Sequence, residues 1–172
     1  MPLEVVYGES RNRASAQALV AQLKRVLSDG TVYLGYPVLA TADERVEVDA
    51  LLVSQSAGLI AFLLKDELPT KPEDWTNVVA EQDRLYAVLE GHLSRHEGLR
   101  SRRKLAISPA TASIFASEVV RPDEPEGFYG SMNDLPDWLD SLDPISAELE
   151  RRLQSALQRV STIKPSKRRS KV

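Results

Sequence analysis

The order of apolar patterns along the chain predicts an α/β fold in which helices cover a mixed β-sheet. Three features indicate it: two segments with apolar residues at helical spacing, a hairpin of two strongly apolar strands between them, and a third helical stripe near the C-terminal end. The 172 residues, 42% of them hydrophobic, suffice for one substantial core. We expect one domain over residues 1–160, followed by a basic flexible tail or linker over residues 161–172.

The first half of the chain predicts a strand, a helix and three further strands. Apolar residues spaced three and four apart indicate the helix from Ala14 to Leu27, and Asp29-Gly30 supplies its end. Apolar, β-branched and aromatic residues bounded by turn residues indicate the strands. The expected strands cover residues 3–7, 31–39, 45–53 and 58–65.

The second half predicts two longer helices and shorter strands. A helix is indicated over residues 78–96, where Val78, Leu85 and Leu89 share one face. The apolar stripe from Ile145 to Val160 indicates a last helix, with Asp143-Pro144 as its start signal. Around them we expect a Pro-rich loop at 66–77, strands at 104–107 and 113–115, a Pro/Gly-rich loop at 119–133 and a helical turn at 134–142.

Cysteine content and charge limit the kinds of site that the chain can contain and the partners that it can bind. The absence of cysteine excludes disulfides, thiolate metal sites and cysteine nucleophiles, and it favours a cytoplasmic location. The sequence shows no apolar run of membrane length and no charged-then-apolar leader, so we expect no membrane partner. Because five of the 22 basic residues and none of the 25 acidic residues lie in 161–172, residues 1–160 carry a net charge of −8. Any contact of this acidic body with nucleic acid must therefore be local.

The hairpin carries the strongest indication of chemistry. Asp49 and Lys65 lie in strands rich in apolar residues, where a charge is costly unless it is paired or used. Counted from the centre of the loop, Asp49 comes opposite Leu64, and a shift of one residue places residues 49, 63 and 65 on one face. Two acids and a lysine on one face are what Mg²⁺-dependent phosphodiester cleavage requires. A simple ion pair across the hairpin is the alternative.

Several segments carry a family resemblance. They are Gly35-Tyr36-Pro37-Val38, Val48-Asp49-Ala50-Leu51-Leu52-Val53, Gly58-Leu59-Ile60-Ala61-Phe62, the pair Asn77…Gln82, Ala106-Ile107-Ser108-Pro109, and the tail from Leu157 to Pro165. In this order they resemble the nuclease-related domain. That domain is a PD-(D/E)xK relative found at the N-terminus of some bacterial UvrD-type superfamily-1 helicases. The resemblance covers residues 1–165, through short motifs whose order makes the case.

The resemblance implies a restriction-endonuclease-like fold, a mixed β-sheet flanked by helices. It implies that Asp49 is the first metal-binding acid, Lys65 the catalytic lysine and Gln82 a polar residue near the active site, with Mg²⁺ as the cofactor. Leu63 stands where the family has Glu or Asp, and a leucine cannot bind Mg²⁺. We therefore expect an accessory nucleic-acid-processing domain of a helicase, repair or defence system with a degenerate site, which binds DNA rather than cutting it. An active site would make the chain an Mg²⁺-dependent deoxyribonuclease, with a helicase domain or another protein as a further partner.

Two other clusters are candidates for binding. Arg100, Arg102, Arg103 and Lys104 follow the second long helix and are candidates for DNA binding. A solvated connector is the default interpretation of this cluster, and contact with DNA phosphates is the alternative. His92 and His96 have a spacing that could share a metal ion, but the sequence offers no third ligand.

The sequence leaves a second function class open. It has no phosphate-binding loop of the Gly-x-x-x-x-Gly-Lys type, so we do not expect this chain to supply the ATPase activity of a helicase. The alternative from another class is a protein-interaction scaffold without nucleic-acid activity, which docks a partner through the helix at 145–160.

Overall fold

A six-stranded mixed sheet covered by helices forms the centre of the computed structural model, which describes residues 3–7, 13–39, 45–65, 67–94, 100–101, 104–105, 109–115 and 128–157. The strands are β1 (Glu4–Val6), β2 (Thr31–Leu39), β3 (Arg45–Ser54), β4 (Gly58–Lys65), β5 (Arg100–Ser101), β6 (Lys104–Leu105), β7 (Ala110–Phe115) and β8 (Phe128–Ser131). The helices are α1 (Arg13–Val26), α2 (Pro72–Ser94), α3 (Leu135–Asp140) and α4 (residues 147–157), and a 3₁₀ turn (Met132–Asp134) precedes α3.

The main sheet has the strand order β1-β2-β3-β4-β7-β8, and β5 and β6 form a separate antiparallel pair. Within the main sheet, β3 is antiparallel to both of its neighbours, and every other adjacent pair is parallel. Helix α1 connects β1 with β2, and α2 lies between β4 and β7, as parallel neighbours require. This arrangement confirms the mixed α/β class that the sequence predicts.

One apolar layer lies on each face of the sheet. On one face, α1 and α3 bury Leu19 and Leu135 in the same cluster as Phe62 of β4. On the other face, α2 and α4 bury Leu89 and Leu153. Strands buried on both faces are almost continuously apolar, which explains the composition of β3 and β4. A charge inside either strand is therefore unusual.

The tip of the β3–β4 hairpin is held by a carboxylate from outside it. The ladder closes at Ser54↔Gly58, and Gly58 has φ 81°, a left-handed conformation that glycine adopts without strain. The Asp29 carboxylate accepts hydrogen bonds from the Gln55 N–H (3.0 Å) and the Ser56 hydroxyl (3.3 Å). These bonds fix the loop and with it the strand register.

Helix α2 begins at Pro72, six residues before the expected start, so the prediction of a loop through residue 77 is wrong. Proline is favoured in the first turn of a helix because it lacks only an N–H that has no helical partner there. The Asp74 carboxylate accepts hydrogen bonds from the Thr70 and Lys71 N–H groups, both at 3.0 Å. These bonds lower the pKa of Asp74 below its ordinary value. Pro72 and Asp74 thus start the helix in a segment whose prolines predict a loop.

The strands after α2 also differ from the expectation. Strand β7 enters the main sheet, and it begins at Ala110 rather than at residue 113. Strand β6 lies within the expected strand 104–107, and it pairs with β5 instead of with a strand of the main sheet. Strand β8 lies inside the expected loop 119–133 and pairs with β7 from Ala112↔Phe128 to Phe115↔Ser131. A four-residue strand beside proline and glycine has little signal in the local sequence. Strand β8 forms because it pairs with β7.

The C-terminal elements are present where the sequence predicts them. Helix α3 confirms the predicted helical turn, and Trp138 stacks on Phe128 with ring centroids 4.9 Å apart. Helix α4 starts later than Asp143-Pro144 indicates: the Ser146 hydroxyl accepts a hydrogen bond from the Leu149 N–H (3.1 Å), as an N-cap does. The expected tail lies outside the described residues. Among the helices described, none has the length and apolarity to cross a membrane.

Candidate functional site

Asp49 is a buried carboxylate at the point where the β3–β4 ladder ends. Its residue is 5% exposed, and the ladder runs from Ser54↔Gly58 to Ala50↔Phe62. Extended by one pair, this register places Asp49 opposite Leu63, one residue from the position counted from the loop. The Asp49 carboxylate accepts a hydrogen bond from the Leu64 N–H at 2.8 Å. A side chain therefore satisfies a strand N–H just beyond the last backbone pair.

Gly35 of β2 lies at the same level on the other side of Asp49. The pairs Leu34↔Ala50 and Tyr36↔Val48 flank the two residues. Gly35 has φ 64°, in the left-handed region where a residue with a Cβ atom is strained. At Asp49, the pairing of β3 with β4 ends and its pairing with β2 is interrupted. The glycine at residue 35 permits the interruption in β2.

Lys65, the last residue of β4, forms an ion pair with α2. Its Nζ lies 2.6 Å from Oε1 of Glu81, and the two side chains are 28% and 43% exposed. Sequence reasoning missed Glu81, because only the packing of α2 on the sheet brings it to a residue sixteen positions earlier. A polar residue beside the buried face of an amphipathic helix was the one available signal, and most surface helices have many such residues.

Leu63 is part of the apolar core. It is 3% exposed and belongs to the same cluster as Leu85 and Leu89 of α2. A carboxylate at residue 63 would therefore meet leucine side chains rather than solvent. Residue 63, where the resemblance expects Glu or Asp, is therefore part of an apolar layer in this chain.

Among the described residues, those around Asp49 supply fewer oxygen ligands than an Mg²⁺ site usually has. Mg²⁺ prefers six oxygen ligands in octahedral geometry, usually with one or two carboxylates. Asp49 offers one buried carboxylate with an oxygen already bound to the Leu64 N–H, and residue 63 offers none. Within the described part of the chain, no group of three or more His, Cys, Asp or Glu residues could hold a metal ion.

Gln82 lies in a buried polar network between α2 and the strands β7 and β8. Its Nε2 donates to the Ser113 hydroxyl (2.9 Å) and to the Phe128 carbonyl (3.1 Å), and its Oε1 accepts from the Thr111 hydroxyl (2.8 Å). The residue is 1% exposed. All of its amide groups are used inside the protein, so the geometry gives Gln82 the role of an anchor for α2.

The candidate nucleic-acid contacts lie partly outside the described residues. Arg100 is in β5 and Lys104 is in β6, which lies beside α2, whereas Arg102 and Arg103 fall outside the described residues. Of the two histidines, His92 is buried on α2, and His96 also falls outside. The structure thus places two members of the basic cluster on the α2 side of the molecule.

An aromatic cluster lies between α2 and the ends of β7 and β8. Trp75 makes edge-on contacts with Phe115 and Tyr129, each with ring centroids 5.9 Å apart. The buried Tyr129 hydroxyl has no hydrogen-bond partner in the described part of the chain. Burial, with a smaller effect of the nearby Asp83 charge, raises the pKa of Tyr129 to about 12. Because Trp75 packs edge-on against the rings of Phe115 and Tyr129, it serves as a packing anchor.

Comparisons of the chain with protein-family models, with curated proteins and with solved structures found no match. The function must therefore be argued from the residues of the site.

Proposed function

We propose that the chain is an accessory nucleic-acid-processing domain of the PD-(D/E)xK nuclease-related type, whose degenerate site contacts DNA without cutting it. One observation carries the proposal. The buried Asp49 carboxylate accepts a hydrogen bond from the Leu64 N–H, and the residue after Leu64 is Lys65, which ends strand β4. An acid and a lysine on neighbouring strands are what the nuclease resemblance implies. A mixed sheet with helices on both faces supports the restriction-endonuclease-like fold that we propose with it.

Two features of the same site argue against cleavage. Leu63 is packed in the core, so the sheet supplies one acid instead of two. Lys65 is held by Glu81, so its ammonium group already has a carboxylate partner. Contact with DNA needs neither a second acid nor a metal ion, since cationic side chains can bind phosphates directly.

The basic cluster supplies the proposed DNA contact. An acidic body with a net charge of −8 repels DNA overall, so binding requires a local concentration of positive charge. Arg100, Arg102, Arg103 and Lys104 provide that concentration within five consecutive positions. Of these positions, Lys104 is in β6, which lies beside the helix that carries Glu81. We place this activity in the cytoplasm, with a helicase domain as the partner that the DNA contact serves.

The interaction-scaffold alternative loses its main support. It requires the apolar stripe of α4 to be available for a partner. Leu153, Ala156 and Leu157 of that stripe are instead buried in the cluster that α4 shares with the sheet and α2.

DNA binding is tested by a salt-dependent titration of a fluorescent oligonucleotide. The double variant Arg102→Ala/Arg103→Ala should bind more weakly, and its slope of log K against log salt should fall by about 1.8, which is 0.9 per lost phosphate contact. The matched control is Lys24→Ala/Arg25→Ala, which removes the same charge from exposed residues of α1 on the other face of the sheet. Equal losses in both variants, or no binding by the wild type at low salt, would refute the proposal.

Cleavage is tested with single- and double-stranded DNA in Mg²⁺ or Mn²⁺, for the wild type, Asp49→Ala and Leu63→Glu. We expect no cleavage by the wild type. Cleavage that disappears in Asp49→Ala would show that the site is active and that another acid replaces residue 63. Activity gained in Leu63→Glu would show that one residue disables the enzyme.

The Leu63→Glu variant needs a control for folding. Burying a carboxylate among leucines should lower the free energy of unfolding by about 3 kcal/mol. Leu68→Glu, at an exposed leucine, should change it by less than about 0.5 kcal/mol. Circular dichroism of both variants shows whether an inactive Leu63→Glu protein is still folded.

A further inference from the structure

We propose that Glu81 restrains the DNA affinity of this site by neutralising Lys65. This inference rests on the proposed DNA-binding function and adds a residue that limits it. The observation is the 2.6 Å ion pair between Lys65 Nζ and Glu81 Oε1, which joins the end of β4 to α2. Glu81 thus holds the cation that the nuclease resemblance makes the catalytic lysine.

The charges at the site oppose a phosphate while the pair is intact. Glu81 is acidic and Lys65 is basic, so the ion pair offers a phosphate no net positive charge. A phosphate that approaches Lys65 meets the Glu81 carboxylate on the same ammonium group. The negative charges of the phosphate and the Glu81 carboxylate repel each other, and the repulsion is stronger where the groups are partly shielded from water.

The pair is nevertheless accessible to exchange. Lys65 is 28% exposed and Glu81 is 43% exposed, so both side chains reach solvent. Ion pairs with this exposure are weak, because water and salt compete for each partner. Asp49, in contrast, is buried and fixed by the Leu64 N–H. Glu81 is thus the solvent-exposed acid at the site, and its removal should leave Lys65 available for a phosphate.

The test is DNA binding by Glu81→Gln, measured by fluorescence anisotropy between about 50 and 200 mM salt. We expect about three- to tenfold tighter binding at low salt and a log–log salt slope that is steeper by about 0.9, since one more cation contacts a phosphate. The matched control is Glu73→Gln, which removes an exposed charge from the first turn of the same helix. The double variant Lys65→Met/Glu81→Gln should lose the gain.

The outcomes separate this inference from the proposed function. A gain in Glu81→Gln that Glu73→Gln lacks and Lys65→Met cancels supports it. Wild-type binding with equal effects of Glu81→Gln and Glu73→Gln overturns it and leaves the DNA-binding function standing. A gain that persists without Lys65 overturns it as well. No binding by any variant overturns both.

Discussion

Two consecutive residues of α2, Glu81 and Gln82, have opposite environments. Gln82 points into the sheet, where three hydrogen bonds to β7 and β8 use both its amide nitrogen and its oxygen. Glu81 pairs with Lys65 at the edge of the same face and remains 43% exposed. The resemblance nominates Gln82 as a site residue and says nothing of Glu81. In the structure, Gln82 is enclosed by the fold, whereas Glu81 reaches solvent beside Lys65.

This difference separates structural polar residues from available ones. A buried polar group is tolerated when its partners are complete, and its loss leaves those partners unsatisfied. A partly exposed ion pair adds little stability but can exchange its partner for a ligand. Substitutions in the first region should therefore affect folding, and substitutions in the second should affect binding.

The largest effect is expected for Gln82→Met, which keeps the length of the side chain and removes its amide. Thr111, Ser113 and the Phe128 carbonyl would each lose a buried partner, so the free energy of unfolding should fall by about 3 kcal/mol. Urea denaturation measures it, with Gln17→Met at an exposed position of α1 as the control. A loss as small as that of the control would show that the network is not structural.

A smaller, pH-dependent effect is expected at Tyr129. Its folded pKa of about 12 lies above the ordinary value of 10.0, so the fold favours the neutral hydroxyl. The unfolded chain then ionises first, and stability falls by up to about 2 kcal/mol as the pH rises from 10 to 12. Below pH 10 this group has no effect.

The measurement is the unfolding free energy of Tyr129→Phe and the wild type on both sides of pH 10. The variant should be as stable as the wild type at neutral pH, because it removes a buried hydroxyl without a hydrogen-bond partner, and it should lose less stability in alkali. Tyr7→Phe, at an exposed tyrosine, is the control. Parallel pH curves for Tyr129→Phe and the wild type would contradict the assignment.

Gly35→Ala tests the backbone beside Asp49. Because φ is 64° at Gly35, alanine there should lower the unfolding free energy by about 1 kcal/mol. Gly91→Ala on α2 should have the opposite sign, since a Cβ atom there meets nothing within 4 Å and alanine favours the helix. Chemical denaturation of both variants measures the contrast, and a stabilising Gly35→Ala would show that the left-handed backbone is not required.

The smallest effect on stability is expected for the Lys65–Glu81 pair. A double-mutant cycle with Lys65→Met and Glu81→Gln should give a coupling energy of about 0.5 kcal/mol, as for other exposed ion pairs. A coupling of several kcal/mol would place this pair with the Gln82 network and contradict the distinction between the two regions.

The sequence predicts the elements that local pattern determines. The hairpin, the strand at residues 31–39 and the first helix follow from apolar periodicity and turn residues, and their bounds agree with the structure within one or two residues. Asp49 and Lys65 stand out because charges are rare in such strands. Strand β8 and the contact of Glu81 with Lys65 could not be predicted, since pairing across the sheet and helix packing create them. The nuclease-related identity itself stays a prediction.

The measurement that tests the central claim most directly is amide hydrogen exchange of the protein with and without a short DNA oligonucleotide. The claim is that DNA contacts the α2 side of the molecule through the basic cluster. We predict slower exchange with DNA in peptides covering residues 100–105, and unchanged exchange in α1 on the opposite face. Protection confined to α1, or no protection at DNA concentrations that saturate binding, would contradict the claim.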